Sequence, residues 1–204
     1  MKGVSVVIGG VGGQGVILTA RVLAEAALAT GGSVLMSEVH GMSQRYGSVV
    51  STVRFGVVET PAVKKGEADA IVGFEPLETA RLLPWAHHKT VVITGLTPIR
   101  PLAVVLGQVR YPAIEDLTRE MRERAGRLIA VDADRIARSV GTPVVANSVL
   151  LGALVGSKVP PVPPEAVKES LRRAVPPRAE KANLEAFDIG YGIAMQDEYS
   201  IQFA

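Results

Sequence analysis

Gly10, Gly12, Gly13 and Gly15, with Gln14 among them, belong to the run Gly-Val-Gly-Gly-Gln-Gly. It follows the apolar stretch Val4-Ser5-Val6-Val7-Ile8 and precedes an alanine-rich periodic segment. Strand, glycine turn and helix in that order is the setting in which backbone amides hold a phosphate. Glycines permit positive φ and close approach of a ligand. The amides of the following helix point outward, and its dipole favours an anion there. The same turn also serves tight packing with no ligand at all. A dinucleotide would need a carboxylate roughly 20 residues further on for its ribose, and Glu38 is admissible. The Gln14 amide could meet a ligand or an interface.

A second polar group lies between Glu38 and Arg54 and holds Glu38, His40, Gln44, Arg45 and Arg54. Arginine forks suit carboxylates and phosphates. Glu38 and His40 are two apart and share a face on an extended chain, so they could form an acid–base pair. The same groups could instead shape a loop or a subunit interface. His87 and His88 are adjacent, point in different directions and read as a helix-terminus pair. No residue set is expected to hold a metal. There is no Gly-x-x-x-x-Gly-Lys-[Ser/Thr] loop, no His-Glu-x-x-His and no Gly-x-Ser-x-Gly elbow, so NTPase, zincin and α/β-hydrolase readings lack support.

These residues need elements to position them. Val4–Ile8 reads as a strand covered on both faces. A helix follows, with Ile17, Ala20, Ala24, Ala27 and Leu28 at helical spacing, ended by Gly31-Gly32. Ser33–Ser37 completes a strand–helix–strand unit. Glu38–Gly47 reads as a loop, and Val49–Phe55 as a strand with one mixed face. Further strands are expected at Ala68–Gly73, Thr90–Thr94 and Leu128–Val131. Helices are expected from Pro76 to about Leu83, over Ile114–Ala125 and over Ala133–Val140. In the second of these, Glu120–Arg124 and Glu123–Arg127 are spaced as i,i+4 ion pairs. Pro143–Val155 reads as a buried helix, Pro160 to Pro164 as a stiff connector, and helices near 165–173 and 178–195 finish the chain. The pattern predicts an α/β fold, a Rossmann-like and largely parallel sheet flanked by helices, with a helical C-terminal extension. Residues 1–159 form the α/β domain on this reading. Residues 160–204 form an extension that packs on it or on a partner.

Composition narrows the function. The chain has 204 residues, 48% of them hydrophobic, which suits one substantial core. A net charge of +2 gives no case for bulk attraction to nucleic acid or membranes. There is no cysteine, so neither a disulfide framework nor a cluster held by this chain's own thiolates is possible. Without a secretory leader pattern or a membrane-length apolar run, a cytoplasmic protein is expected.

The motifs are more specific in combination. Gly10–Gly15 is followed by Glu-Val-His-Gly-Met-Ser-Gln-Arg at 38–45 and Gly-Ser-Val-Val-Ser-Thr-Val-Arg-Phe-Gly at 47–56. Asp-Ala-Ile-Val-Gly-Phe-Glu-Pro-Leu-Glu follows at 69–78. This order closely resembles the small (beta) subunits of indolepyruvate ferredoxin oxidoreductases. More broadly it is similar to the gamma subunits or domains of 2-oxoacid:ferredoxin oxidoreductases. The likeness continues at Asn147–Leu154 and Asn183–Gly190, and so covers nearly the whole chain. One departure is Tyr46, where the family usually has a glycine.

The resemblance implies a complex that converts 2-oxoacids, aryl pyruvates such as indolepyruvate among them, to acyl-coenzyme A and carbon dioxide. Ferredoxin takes the electrons. Thiamine diphosphate, Mg2+ and iron–sulfur clusters would reside on the large (alpha) subunit, this chain's partner, and do the hard chemistry. The chain itself would hold no cofactor alone, carry no catalytic residue and be inert alone. The turn Gly10–Gly15 and the group Glu38, His40, Gln44 and Arg45 would face coenzyme A or the large subunit. Two other readings stay open at this point, a free-standing NAD(P)-dependent oxidoreductase and a nucleotide-binding scaffold module.

Overall fold

The structure is a computed structural model that describes residues 3–40 and 47–196, with the His40 side chain excepted. The chain opens with β1 (Val4–Val11), α1 (Val16–Ala29), β2 (Val34–His40) and β3 (Ser48–Phe55). It continues through β4 (Ala70–Gly73), α2 (Pro76–Leu82), β5 (Val91–Gly95), α3 (Leu102–Val105) and α4 (Ile114–Arg124). The remainder is β6 (Arg127–Val131), α5 (Ala133–Ser139), α6 (Ala146–Gly156), α7 (Pro164–Ala174) and α8 (Glu180–Met195).

The six strands form one sheet in the order β2-β3-β1-β4-β5-β6. β1, β4, β5 and β6 pair in parallel, as strand–helix alternation requires. β3 is antiparallel to both β1 and β2, and it sits between them. Five strands therefore run one way and one is reversed. The sheet is largely parallel, as expected, but β1 and β2 are not neighbours. β2 also runs further than its apolar residues suggest. Glu38 and the His40 backbone belong to this strand, not to a loop, because each residue through His40 has a partner on β3.

Alternation along the strands divides the core. Val6 and Ile8 of β1, with Val53, Val72, Ile93 and Ile129, face the layer built by α1, α5, α6, α7 and α8. Val7, Ile71, Val92 and Leu128 face Leu82, Leu83, Leu117 and Met121 on the other side. α1 uses alanines Ala20, Ala26 and Ala27 to lie close to the sheet.

α6 is buried on every side from Ser148 to Gly156, which its continuous apolar sequence demands. α8 covers it at very short range. A Cβ on Gly152 would lie 2.0 Å from the Phe187 carbonyl oxygen, and one on Gly190 would lie 1.9 Å from that of Val149. Glycine at these crossings lets two backbones touch. Ser148 Oγ donates to Asn183 Oδ1 at 2.6 Å, and Asn183 Nδ2 donates to the Ala179 carbonyl at 2.8 Å. Lys168 ties α7 to α8 through Asp188 at 2.6 Å. The proline-rich connector is no free arm, since Val162 is buried in the main core.

α4 behaves as its sequence predicts over most of its length. Leu117 and Met121 are buried, and Arg124 pairs with Glu120 at 3.4 Å. The expected Glu123–Arg127 pair does not form. The helix stops at Arg124, and Arg127 opens β6 and donates to the Ala194 carbonyl at 2.6 Å.

Candidate functional site

β1 ends at Val11, and the glycine turn is held from three directions. Gly12 N donates to the Gly47 carbonyl at 2.8 Å, which joins the turn to the start of β3. Gln14 Oε1 accepts from Val11 N at 2.8 Å, and Gln14 Nε2 donates to the Phe74 carbonyl at 3.1 Å. Gly13 and Gly15 have φ of +103° and +88°, a region that favours glycine. Thr19 N donates to the Gly15 carbonyl at 2.9 Å and starts α1. No side chain caps this helix and no acid lies in its first turn. Its leading amides are therefore left to water or a ligand.

Two clefts flank the turn. One, of about 280 Å³, lies over the C-terminal ends of the parallel strands and is lined by Gly13, Gln14, Phe74, Ile99, Asp134 and Asn147 among others. The turn before α1 and the starts of α5 and α6 converge on it. It stands where the chain leaves β1 toward β2 on one side while β4 pairs on the other, the usual place for a ligand in an open α/β sheet. The second cleft, also about 280 Å³, is lined by Val11, Gly12, Gly13, Gly15, Val16, Ile17 and Val49. Neither lining contains a lysine or arginine. Among the residues that line these clefts, no cationic side chain would meet an anion, which would be left to backbone amides, helix ends and the amide side chain of Asn147, with Asp134 adding a negative charge at the wall of the first cleft.

Phe74 N donates to the Gly9 carbonyl at 2.9 Å, and Glu75 follows it. Glu75 is almost fully buried. Its Oε2 caps α2 by accepting from Glu78 N at 2.8 Å, while Oε1 accepts from Ile99 N at 3.2 Å and from the Tyr111 hydroxyl. Burial, and then the hydrogen bond to and charge of Glu75, push the Tyr111 phenol well above its usual range.

The structure brings together Gly10, Gly12, Gly13, Gln14 and Gly15, and adds Asn147, whose Nδ2 stands 2.6 Å from where a Gly15 Cβ would be. Glu38 lies elsewhere. It pairs with Ser51, and Ser51 with Ile8, so two strand spacings of about 4.8 Å each separate it from β1. It lines neither cleft. Arg54 is engaged locally, donating to Ser5 Oγ at 3.2 Å and to the carbonyls of Thr60 and Ala62 at 3.1 Å. Gln44, Arg45 and Tyr46 fall outside the described residues, as does the His40 side chain. His87 Nδ1 accepts from Lys89 N at 3.1 Å, a loop-end contact. Sequence reasoning missed the roles of Phe74 and Asn147 at the turn, although a polar Asn-Ser pair inside an apolar stretch was a usable signal.

The model of the pyruvate ferredoxin/flavodoxin oxidoreductase family matches residues 5–193. The chain belongs to this family. Indolepyruvate oxidoreductase subunit IorB of Pyrococcus horikoshii is 42% identical over 198 residues, covering 96% of this chain and 98% of that protein. Among solved structures, the gamma subunit of a keto/oxoacid ferredoxin oxidoreductase from Geobacter sulfurreducens shares the fold. Its TM-score is 0.68 at 24% identity, over 94% of this chain and 98% of that one. A 2-oxoglutarate:ferredoxin oxidoreductase from Magnetococcus marinus, solved with 2-oxoglutarate, coenzyme A and succinyl-coenzyme A, gives a TM-score of 0.70 at 18% identity. That match covers 96% of this chain but 31% of the longer one. Among the described residues, no helix is long and apolar enough to cross a membrane.

Proposed function

We propose that the chain is the small subunit of an indolepyruvate-type 2-oxoacid:ferredoxin oxidoreductase. The complex would oxidatively decarboxylate an aryl 2-oxoacid, transfer the acyl group to coenzyme A and pass two electrons to ferredoxin. The observation that carries this reading is the end-to-end match to an indolepyruvate oxidoreductase subunit at 42% identity. A chain with no cysteine cannot supply the thiolates of a cluster. Thiamine diphosphate, Mg2+ and iron–sulfur clusters belong, on this reading, to the large subunit.

The chain's own contribution centres on the Gly10–Gly15 turn. Its uncapped helix start offers amides to an anionic group of coenzyme A or to a carboxylate of the large subunit. The cleft beside it has room for part of such a ligand and presents Asn147 and Gln14 at its wall. The nicotinamide reading loses its ribose carboxylate, because β3 separates Glu38 from the turn.

Anaerobic purification of the full chain from its own host, followed by native mass spectrometry, tests the proposal. The expected result is an assembly with a large subunit carrying thiamine diphosphate and clusters. The isolated chain should not turn over indolepyruvate even with cofactors added. A lone chain retaining a nicotinamide nucleotide would overturn the reading.

A further inference from the structure

Between β5 and α4 the chain makes a strap, residues 96–113, that the core does not explain. Leu102, Val105, Leu106 and Val109 are 69%, 67%, 61% and 56% exposed. Four large apolar side chains thus stand in solvent within eight consecutive positions. α3, at their centre, has four residues and buries none of them. A helix this short is not stable by itself in water. It persists because both ends of the strap are tied down, Ile99 N and the Tyr111 hydroxyl both meeting the buried Glu75 carboxylate. Pro98, Pro101 and Pro112 further restrict the backbone. The strap is presented, not loose.

Its charge is one-signed. Arg100 and Arg110 flank the apolar group, and no aspartate or glutamate occurs between Leu96 and Ala113. Its position is also informative. Thr97 and Ile99 at its start line the cleft beside the glycine turn, and Val144, 81% exposed, lines the same cleft. The strap therefore leaves the sheet at the wall of the candidate site.

We propose that the strap 96–113 is the docking surface for the large subunit of the same complex. The matching surface is an apolar depression that receives Leu102, Val105, Leu106 and Val109, rimmed by carboxylates that face Arg100 and Arg110. A subunit seated there also closes the mouth of the glycine-turn cleft, which puts that cleft on the subunit boundary. In the Magnetococcus marinus neighbour the same fold is about a third of a longer chain, so the fold does occur joined to further polypeptide. The proposal rests on the small-subunit reading above.

The test expresses the full chain with its cognate large subunit without oxygen. Leu102→Asp and Leu106→Asp each place a charge at the centre of the patch. Val57→Asp, at a 94% exposed position beyond β3 at the opposite end of the sheet, is the control. The patch variants should keep the free chain's melting temperature and weaken association by roughly tenfold or more. The control should bind like the parent. Without any substitution, amide hydrogen exchange at residues 102–109 should slow when the complex forms. A parent complex that leaves these amides unprotected, or patch variants that bind normally, would overturn the docking surface and leave the small-subunit reading standing. No complex at all with the parent chain overturns both. Concentration-dependent homodimers abolished by Leu102→Asp would assign the patch to a second copy, and likewise overturn it.

Discussion

Gln14 and Phe74 are sixty positions apart, and the side-chain amide of one is bonded to the backbone of the other. Gln14 Nε2 donates to the Phe74 carbonyl at 3.1 Å while Oε1 accepts from Val11 N at 2.8 Å. These two bonds lock the glycine turn to the end of the neighbouring strand. Gln14→Ala should strand two backbone groups and cost about 1–3 kcal/mol. Urea denaturation would show it as a lower midpoint at unchanged slope. An unchanged midpoint would mean that water replaces both bonds.

Two glycines of α8 should respond to alanine with opposite sign. At Gly190 a methyl group meets the Val149 carbonyl, whereas at Gly192 nothing lies within 4 Å. Gly190→Ala must push α8 off α6 and should cost about 1–3 kcal/mol or more. Gly192→Ala removes backbone freedom from the unfolded chain and should gain roughly 0.5–1 kcal/mol. Thermal melts of the two variants side by side decide it.

Tyr111 gives the fold an alkaline limit. Burial and Glu75 raise its folded-state pKa above the ordinary 10.0. A raised pKa means that the native state holds the proton more tightly, so this stabilisation is complete below about pH 10 and fades as pH rises further. Near neutrality it contributes no slope. Tyr111→Phe should lower stability by about 0.5–1.5 kcal/mol at neutral pH and flatten the loss above about pH 10. Urea midpoints measured across that range in parent and variant check both claims.

Among the described residues, Ser51 Oγ is a buried side-chain oxygen without a hydrogen-bond partner. It lies on β3 between Glu38 and Ile8. Ser51→Ala removes an unpaired polar group and should leave the melting temperature unchanged or raise it. Ser148→Ala, which breaks the bond to Asn183, should lower it. If Ser51→Ala lowered it to the same extent, the Ser51 hydroxyl must have a partner in solution.

Much of the architecture was legible in the sequence because its causes are local. The glycine turn after an apolar strand, the stripe and charge order of α4, and the all-apolar α6 each follow from neighbours within a few positions. The combined wording of the Gly10–Gly15 and 69–78 segments was enough to suggest the family. The sheet order was not legible. Placing β3 between β1 and β2 depends on pairing partners dozens of residues apart, and the alternation of Val49, Ser51, Val53 and Phe55 is the same for any neighbour. That one insertion carried Glu38 two strands from the turn. Gln14 and Arg54 were similarly ambiguous, since a polar side chain shows its type in the sequence but its partner only in three dimensions. The strap shows the same division. The sequence shows its apolar residues but not whether they face inward or outward. Only the tertiary structure, by filling the core from other elements and fastening the strap's ends to Glu75, left them facing outward.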